Sequence, residues 1–297
     1  MIGIPEVTAD RIELRDGRWL GYAECGDPGG GPLLFFHGWP GSRVEGRLGD
    51  EAAKASGVRL IAVDRPGMGL SDYQPCRAFV DWRSDVVQVA EALGLDRFAV
   101  LGISGGGPYA AACAWKLSDR LTRAGIVSGL APLNVPGVIA GMGRRNRLTL
   151  QMVGHLAVLR RILMAAMAVS VARRPDRVLE RGVAATVDKN YLRRADVRTI
   201  LEKSLSEAFR SGSGGAAWEM GLYARPWGFP LEDIRTPVDL WHGEQDANAP
   251  VAMGAFWRRA FPSVGRVSTP EKAIFTSSTA CPRSSRRFAP DSRSVGV

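Results

Sequence analysis

At 297 residues, 45% of them apolar, the chain can bury a substantial core as one large α/β domain or a domain with an insertion. Its net charge of +9 is diffuse: residues 263–297 supply +4 through six Arg/Lys against two acids, and the other 262 residues share the remaining +5. No aromatic RNA-binding motif or zinc-finger spacing accompanies the short arginine clusters GRRNR and ARRPDR, so no nucleic-acid partner is expected.

The chain opens on MIGIPEVTADRIEL, where no basic region precedes an apolar one, and no signal peptide is expected. Cys25, Cys76, Cys113 and Cys281 show neither C-x-x-C nor histidine-paired spacing. The expectations are a cytoplasmic location, no metal and no cofactor.

RIELRDG and WLGYAECGDPGGGP alternate in the manner of an antiparallel pair ending in a glycine loop. PLLFFHG, GVRLIAVDRPG and RFAVLGISGGG then read as buried strands. Between the last two, DWRSDVVQVAEALGL carries a helical stripe of Val86, Val87, Val89, Ala90 and Leu93. PYAAACAWKL continues as a small-residue helix, and RAGIVSG is a further strand. Strands alternating with helices predict an α/β fold, a mostly parallel sheet covered on both faces.

Residues 1–130 form the first part of this core. At Ala131 the rhythm breaks, and residues 131–228, rich in Leu, Met, Ala and Arg, read as a helical cap. The core resumes over 229–262 with TPVDLWHGEQD. An insertion between two strands of such a sheet lies where ligands bind, which makes it a lid over a small-molecule substrate. Within it, ILMAAMAVSVA (Ile162 to Ala172) is about half a membrane span, so a core or lid helix is expected and no membrane partner. Its Met and Leu side chains are read first as core packing and second as a wall for an apolar substrate.

The strongest chemical signal is Gly102-Ile103-Ser104-Gly105-Gly106, a G-x-S-x-G between an apolar strand and a small-residue helix. That setting holds a serine exposed on a sharp turn, with free helix N-terminal amides beside it to meet developing negative charge. FFHGWPGS follows an earlier strand, and the amides of Trp39 and Gly105 are candidates for an oxyanion hole. LWHGEQDANAP places Asp246 beyond a later strand as a candidate orienting acid.

Together HGWPG, DRPGMGLSD, GISGGGPYA and HGEQDANAP resemble the α/β-hydrolase superfamily, in its serine-nucleophile branch, over about residues 10–262. The resemblance implies an α/β-hydrolase fold with a helical cap, Ser104 as nucleophile and Asp246 as acid. It also implies Gly102 and Gly106 as elbow glycines, and His37 and Gly38 as structural parts of the oxyanion loop. The implied reaction is hydrolysis of a small carboxylic ester or related acyl compound. A serine elbow argues against epoxide hydrolases and haloalkane dehalogenases. A proline-iminopeptidase-like or carbon–carbon bond hydrolase activity remains an alternative.

The family's triad ends on a histidine that follows the acid. Here His37, His155 and His242 all precede Asp246. His37 belongs to the oxyanion-loop motif, His242 ends a strand, and His155 is an ordinary cap residue. Beyond Ser263 the pattern dissolves into Ser, Arg and Pro. Codons for STPEKAI (Ser268–Ile274), regrouped from each third base, permit Tyr-Pro-Gly-Glu-Gly-His, the phrase in which many relatives carry that histidine. The same regrouping of FTSSTACPRSSRRFA permits LHFLHRVPEILAALR, which ends as an amphipathic helix. The expectation is that residues 263–297 are translated out of frame and poorly ordered. As written, the chain would be a catalytically impaired hydrolase remnant.

Overall fold

The computed structural model describes residues 9–143, 147–148, 156–182 and 190–261, with the backbone of 264–268. Eight strands form one sheet in the order β1-β2-β4-β3-β5-β6-β7-β8. β1 (Ala9–Glu13) and β2 (Trp19–Gly26) are the antiparallel pair that alternation predicts, and β2 also runs antiparallel to β4 (Val58–Val63). From β4 onward every neighbour is parallel: β3 (Gly31–Phe36), β5 (Phe98–Ile103), β6 (Leu121–Val127), β7 (Val238–Trp241) and β8 (Val264–Ser268).

The continuous apolar runs have a two-sided purpose. In β3, Leu34 and Phe36 pack on one face with Ile61, Val63, Phe98 and Val100. Leu33 and Phe35 pack on the other with Leu60, Ala62, Ala99 and Leu101. Parallel strands take this composition because the connecting helices cover both faces. α1 (Asp50–Ala55) brings Ala53 to the second face. α2 (Trp82–Ala92) and α3 (Gly107–Lys116) cover the first. The expected α2 stripe buries Val86, Val89 and Ala90 fully, and Val87 and Leu93 in part. Tyr109 through Ala114 of α3 are all buried, which explains the run of small residues: the helix lies close on the sheet.

Four described helices connect β6 to β7: α4 (Ala157–Arg173), α5 (Pro175–Gly182), α6 (Ala195–Ala208) and α7 (Gly214–Tyr223). They differ in depth. α7 is sunk into the molecule, while α4 buries only Met164 and Val171. The packing expected of the α4 side chains therefore holds for one side of that helix. There Met164, Leu163 and Met167 join Met68, Ala216, Ala217, Met220 and Trp39. α8 (Val251–Ala260) follows β7. The stretch expected to be aberrant contributes its first residues as β8, whose ladder to β7 is built from backbone groups. Residues 269–297, and His155, lie outside the described residues.

Candidate active site

Ser104 sits where β5 turns into α3, with a φ of 52°. That is the left-handed region, which costs a non-glycine residue about 1–2 kcal/mol, and the surroundings must hold it there. The flanking glycines show how. A Cβ on Gly102 would stand 2.3 Å from the Gly106 carbonyl oxygen, and one on Gly106 would stand 2.2 Å from the Phe36 oxygen. Both obstacles are backbone, so neither can yield. The turn is thus wedged against the end of β3. The loop leaving β3 lies alongside it: a Cβ on Gly105 would come within 2.6 Å of both the Trp39 Cβ and the Tyr223 hydroxyl. Trp39 and Gly105, named separately from two motifs, are neighbours in space.

His37 is fully buried and both its ring nitrogens are engaged. Nδ1 lies 2.8 Å from the Gly38 oxygen, and Nε2 accepts from the Arg65 amide at 3.2 Å. This fixes the neutral tautomer with its proton on Nδ1. Burial, reinforced by the Arg65 charge, holds the His37 pKa well below the ordinary histidine value. His37 is a structural member of its loop.

The loop is braced from below. The Arg65 guanidinium donates to the His37 oxygen and, at 3.0 Å, to the Gly38 oxygen. The Gly38 amide donates to Glu45 Oε2 at 2.7 Å, and the Trp39 indole donates to the Ala216 oxygen at 3.1 Å. Arg65 in turn pairs with Glu219 of α7, which also accepts from Arg77 at 2.9 Å and from the Tyr109 hydroxyl at 2.7 Å. The Tyr223 hydroxyl stands 3.0 Å from both Glu219 Oε2 and the Gly105 oxygen. Burial alone would raise the Glu219 pKa, but Arg65 and Arg77 outweigh it and hold it at about 2. This network escaped the sequence reading. Its one local signal is an acid within the otherwise apolar AAWEMGLY of α7.

Asp246 lies beyond the end of β7 and is 4% exposed. Its Oδ1 accepts the amides of Asn248 at 2.9 Å and Ala249 at 2.8 Å. Its Oδ2 is buried, with no hydrogen-bond partner among the described residues. Burial raises the Asp246 pKa, while the Ala249 and Asn248 amides, His242 and the nearby Ser128 hydroxyl favour the carboxylate. Among the described residues Ser128 Oγ meets no partner within hydrogen-bonding geometry, so its influence is one of proximity. His242 is turned away, with Nε2 on the Ala249 oxygen at 2.7 Å. Among the described residues no hydrogen bond joins Ser104 to Asp246, His37 or His242. Their strands, β5 and β7, are separated by β6, two strand spacings or roughly 10 Å.

This fold, with a serine on a crowded turn after β5 and a buried acid after β7, defines a class, and comparison with known proteins gives the same one. The alpha/beta hydrolase fold family matches residues 31–273, and the chain belongs to it. A non-heme chloroperoxidase of Streptomyces lividans is 34% identical over 126 residues, 42% of this chain and 46% of the relative. Epoxide hydrolase B of Mycobacterium tuberculosis is 34% identical over 113 residues, 37% of this chain and 31% of the relative. The chain thus spans less than half the length of these curated relatives. An alpha/beta hydrolase fold protein from Chitinophaga pinensis superposes with a TM-score of 0.69 at 18% identity, over 95% of this chain and 97% of that one.

Proposed function

We propose that the chain is a serine hydrolase acting on a small carboxylic ester or related acyl substrate, whose base is a histidine encoded beyond β8 in a shifted reading frame. The observation that carries this reading is Asp246. One of its oxygens accepts two amides, and the other is buried with no donor among the described residues. An unpaired buried carboxylate oxygen is costly, and an imidazole N–H is the donor a triad supplies. β8 runs parallel to β7, so a segment leaving β8 starts from the sheet edge that carries Ser104 and Asp246. The regrouped histidine codon straddles those of Ala273 and Ile274, shortly after Ser268.

In the complete form the histidine takes the Ser104 proton as Oγ attacks the substrate carbonyl, with Asp246 holding the ring. The Trp39 and Gly105 amides receive the oxyanion, and the histidine then protonates the leaving alcohol. Water, activated by the same base, releases the acid and regenerates Ser104. The methionines 68, 164 and 220 beside Trp39 favour an apolar acyl portion. No step calls for a metal or cofactor. Without the histidine, Ser104 is a hydroxyl near its free pKa and a poor nucleophile.

Two experiments test this. Genomic sequencing across codons 250–297 should give bases that spell the histidine phrase in the shifted frame; bases that cannot do so contradict the frame assignment. A chain translated in that frame from codon 263 should take a fluorophosphonate on Ser104, located by peptide mass spectrometry. Labelling at another residue, or undiminished labelling in Ser104→Ala, contradicts the nucleophile assignment.

A further inference from the structure

α4 is apolar on its outer as well as its inner side, interrupted by Arg160, Arg161, Ser170 and Arg173, yet half of it faces outward. A helix of that composition is ordinarily enclosed. Its inner side, Met164, Met167 and Val171, rests toward α7, with Arg160 donating to the Ala217 oxygen at 3.2 Å. Its outer side shows Val158 (69% exposed), Leu159 (41%), Ile162 (59%) and Val169 (53%). Val158, Ile162, Ala165, Val169 and Ala172 recur every three or four positions and form one continuous stripe. Arg161 and Arg173 fall on the same face, near its two ends, and both are exposed. α4 contains no acid, and among the described residues neither arginine forms an ion pair.

We propose that the outer face of α4 docks on an anionic lipid surface, lying in the headgroup plane with Ile162 and its neighbours inserted and Arg161 and Arg173 on lipid phosphates. An apolar stripe bordered by arginines has the two features such helices use. Among the described residues no helix is long and apolar enough to cross a membrane, so the contact is peripheral. The expectation of no membrane partner rested on span length, which does not detect this mode. A second copy of the chain fits less well. Two α4 helices paired antiparallel about a two-fold axis would bring Arg161 of each toward Arg173 of the other, like charge against like. The proposal is independent of the hydrolase reading.

The test is sedimentation of the full chain with vesicles, alongside its oligomeric state by light scattering. Vesicles rich in phosphatidylglycerol should bind the protein and pure phosphatidylcholine vesicles should not, with binding weakened at high salt. Ile162→Glu should reduce binding about tenfold or more, and so should the double change Arg161→Glu with Arg173→Glu, both variants keeping the parent's circular dichroism. All three positions are exposed, so folding is not at risk. Absence of binding to phosphatidylglycerol at low salt overturns the proposal. Binding that both variants retain overturns it too, because another basic segment then carries it. A dimer that Ile162→Glu dissociates, without vesicle binding, assigns the face to a second copy.

Discussion

Arg65 and Glu219, 154 positions apart, meet as a two-point ion pair with Nε–Oε1 at 2.8 Å and Nη2–Oε2 at 2.9 Å. Neither side chain exposes any surface. The pair connects α7, from the segment between β6 and β7, to the two carbonyls that shape the His37–Trp39 loop. Arg77 and Tyr109 complete it, so Glu219 compensates two buried guanidiniums at once. Removing one member of such a set strands the others. Glu219→Ala should destabilise the fold by about 3–5 kcal/mol in urea denaturation. A loss below about 1 kcal/mol would mean the arginines find water or other partners.

Glu45 gives the protein a pH signature. Burial pushes its pKa from the ordinary 4.5 to about 7, against the Gly38 amide, Arg65 and Ser204, which favour the charge. Between pH 4.5 and 7 the folded chain keeps a proton that the unfolded chain has lost, so this group's contribution to stability falls as pH rises. The slope is at most about 1.4 kcal/mol per pH unit. Glu45→Gln should therefore gain on the parent steadily across that window and hold a constant difference above it. Denaturation series at several pH values read this directly, and a difference independent of pH contradicts it.

The elbow should reverse an ordinary preference. Ala is usually more stable than Gly, by roughly 0.5–1 kcal/mol within regular structure. At Ser104 the left-handed φ penalises any Cβ. Ser104→Gly should thus match or exceed Ser104→Ala in thermal stability, by up to about 1 kcal/mol. The usual order, with Ala clearly ahead, would show that the turn relaxes when the serine is replaced.

What could be read in the sequence follows the range of each interaction. The strands β3, β4 and β5 announce themselves because a parallel strand must be apolar on both faces. The Gly102–Gly106 crowding is local enough to be carried by a short motif. That Gly106 is also blocked by Phe36, and that Gly105 abuts both Trp39 and Tyr223, depends on strand order, which no local pattern records. Glu219 is hidden for the same reason: apart from Tyr223, one helical turn on, its partners are Arg65, Arg77 and Tyr109, all more than a hundred positions away. α4 failed differently. Its composition promised enclosure, and periodicity could not show that only one side would have neighbours.

The central claim is that Ser104 and Asp246 belong to a triad whose histidine lies in the shifted frame. Its most direct test is the hydrolysis rate of a short-chain nitrophenyl ester, measured for the chain as written and for the chain translated in that frame from codon 263. Loss of a triad base costs on the order of a million-fold in kcat. The shifted-frame chain should exceed the written one by at least about a thousandfold, and Ser104→Ala should abolish the difference. Equal rates in the two chains would contradict the account.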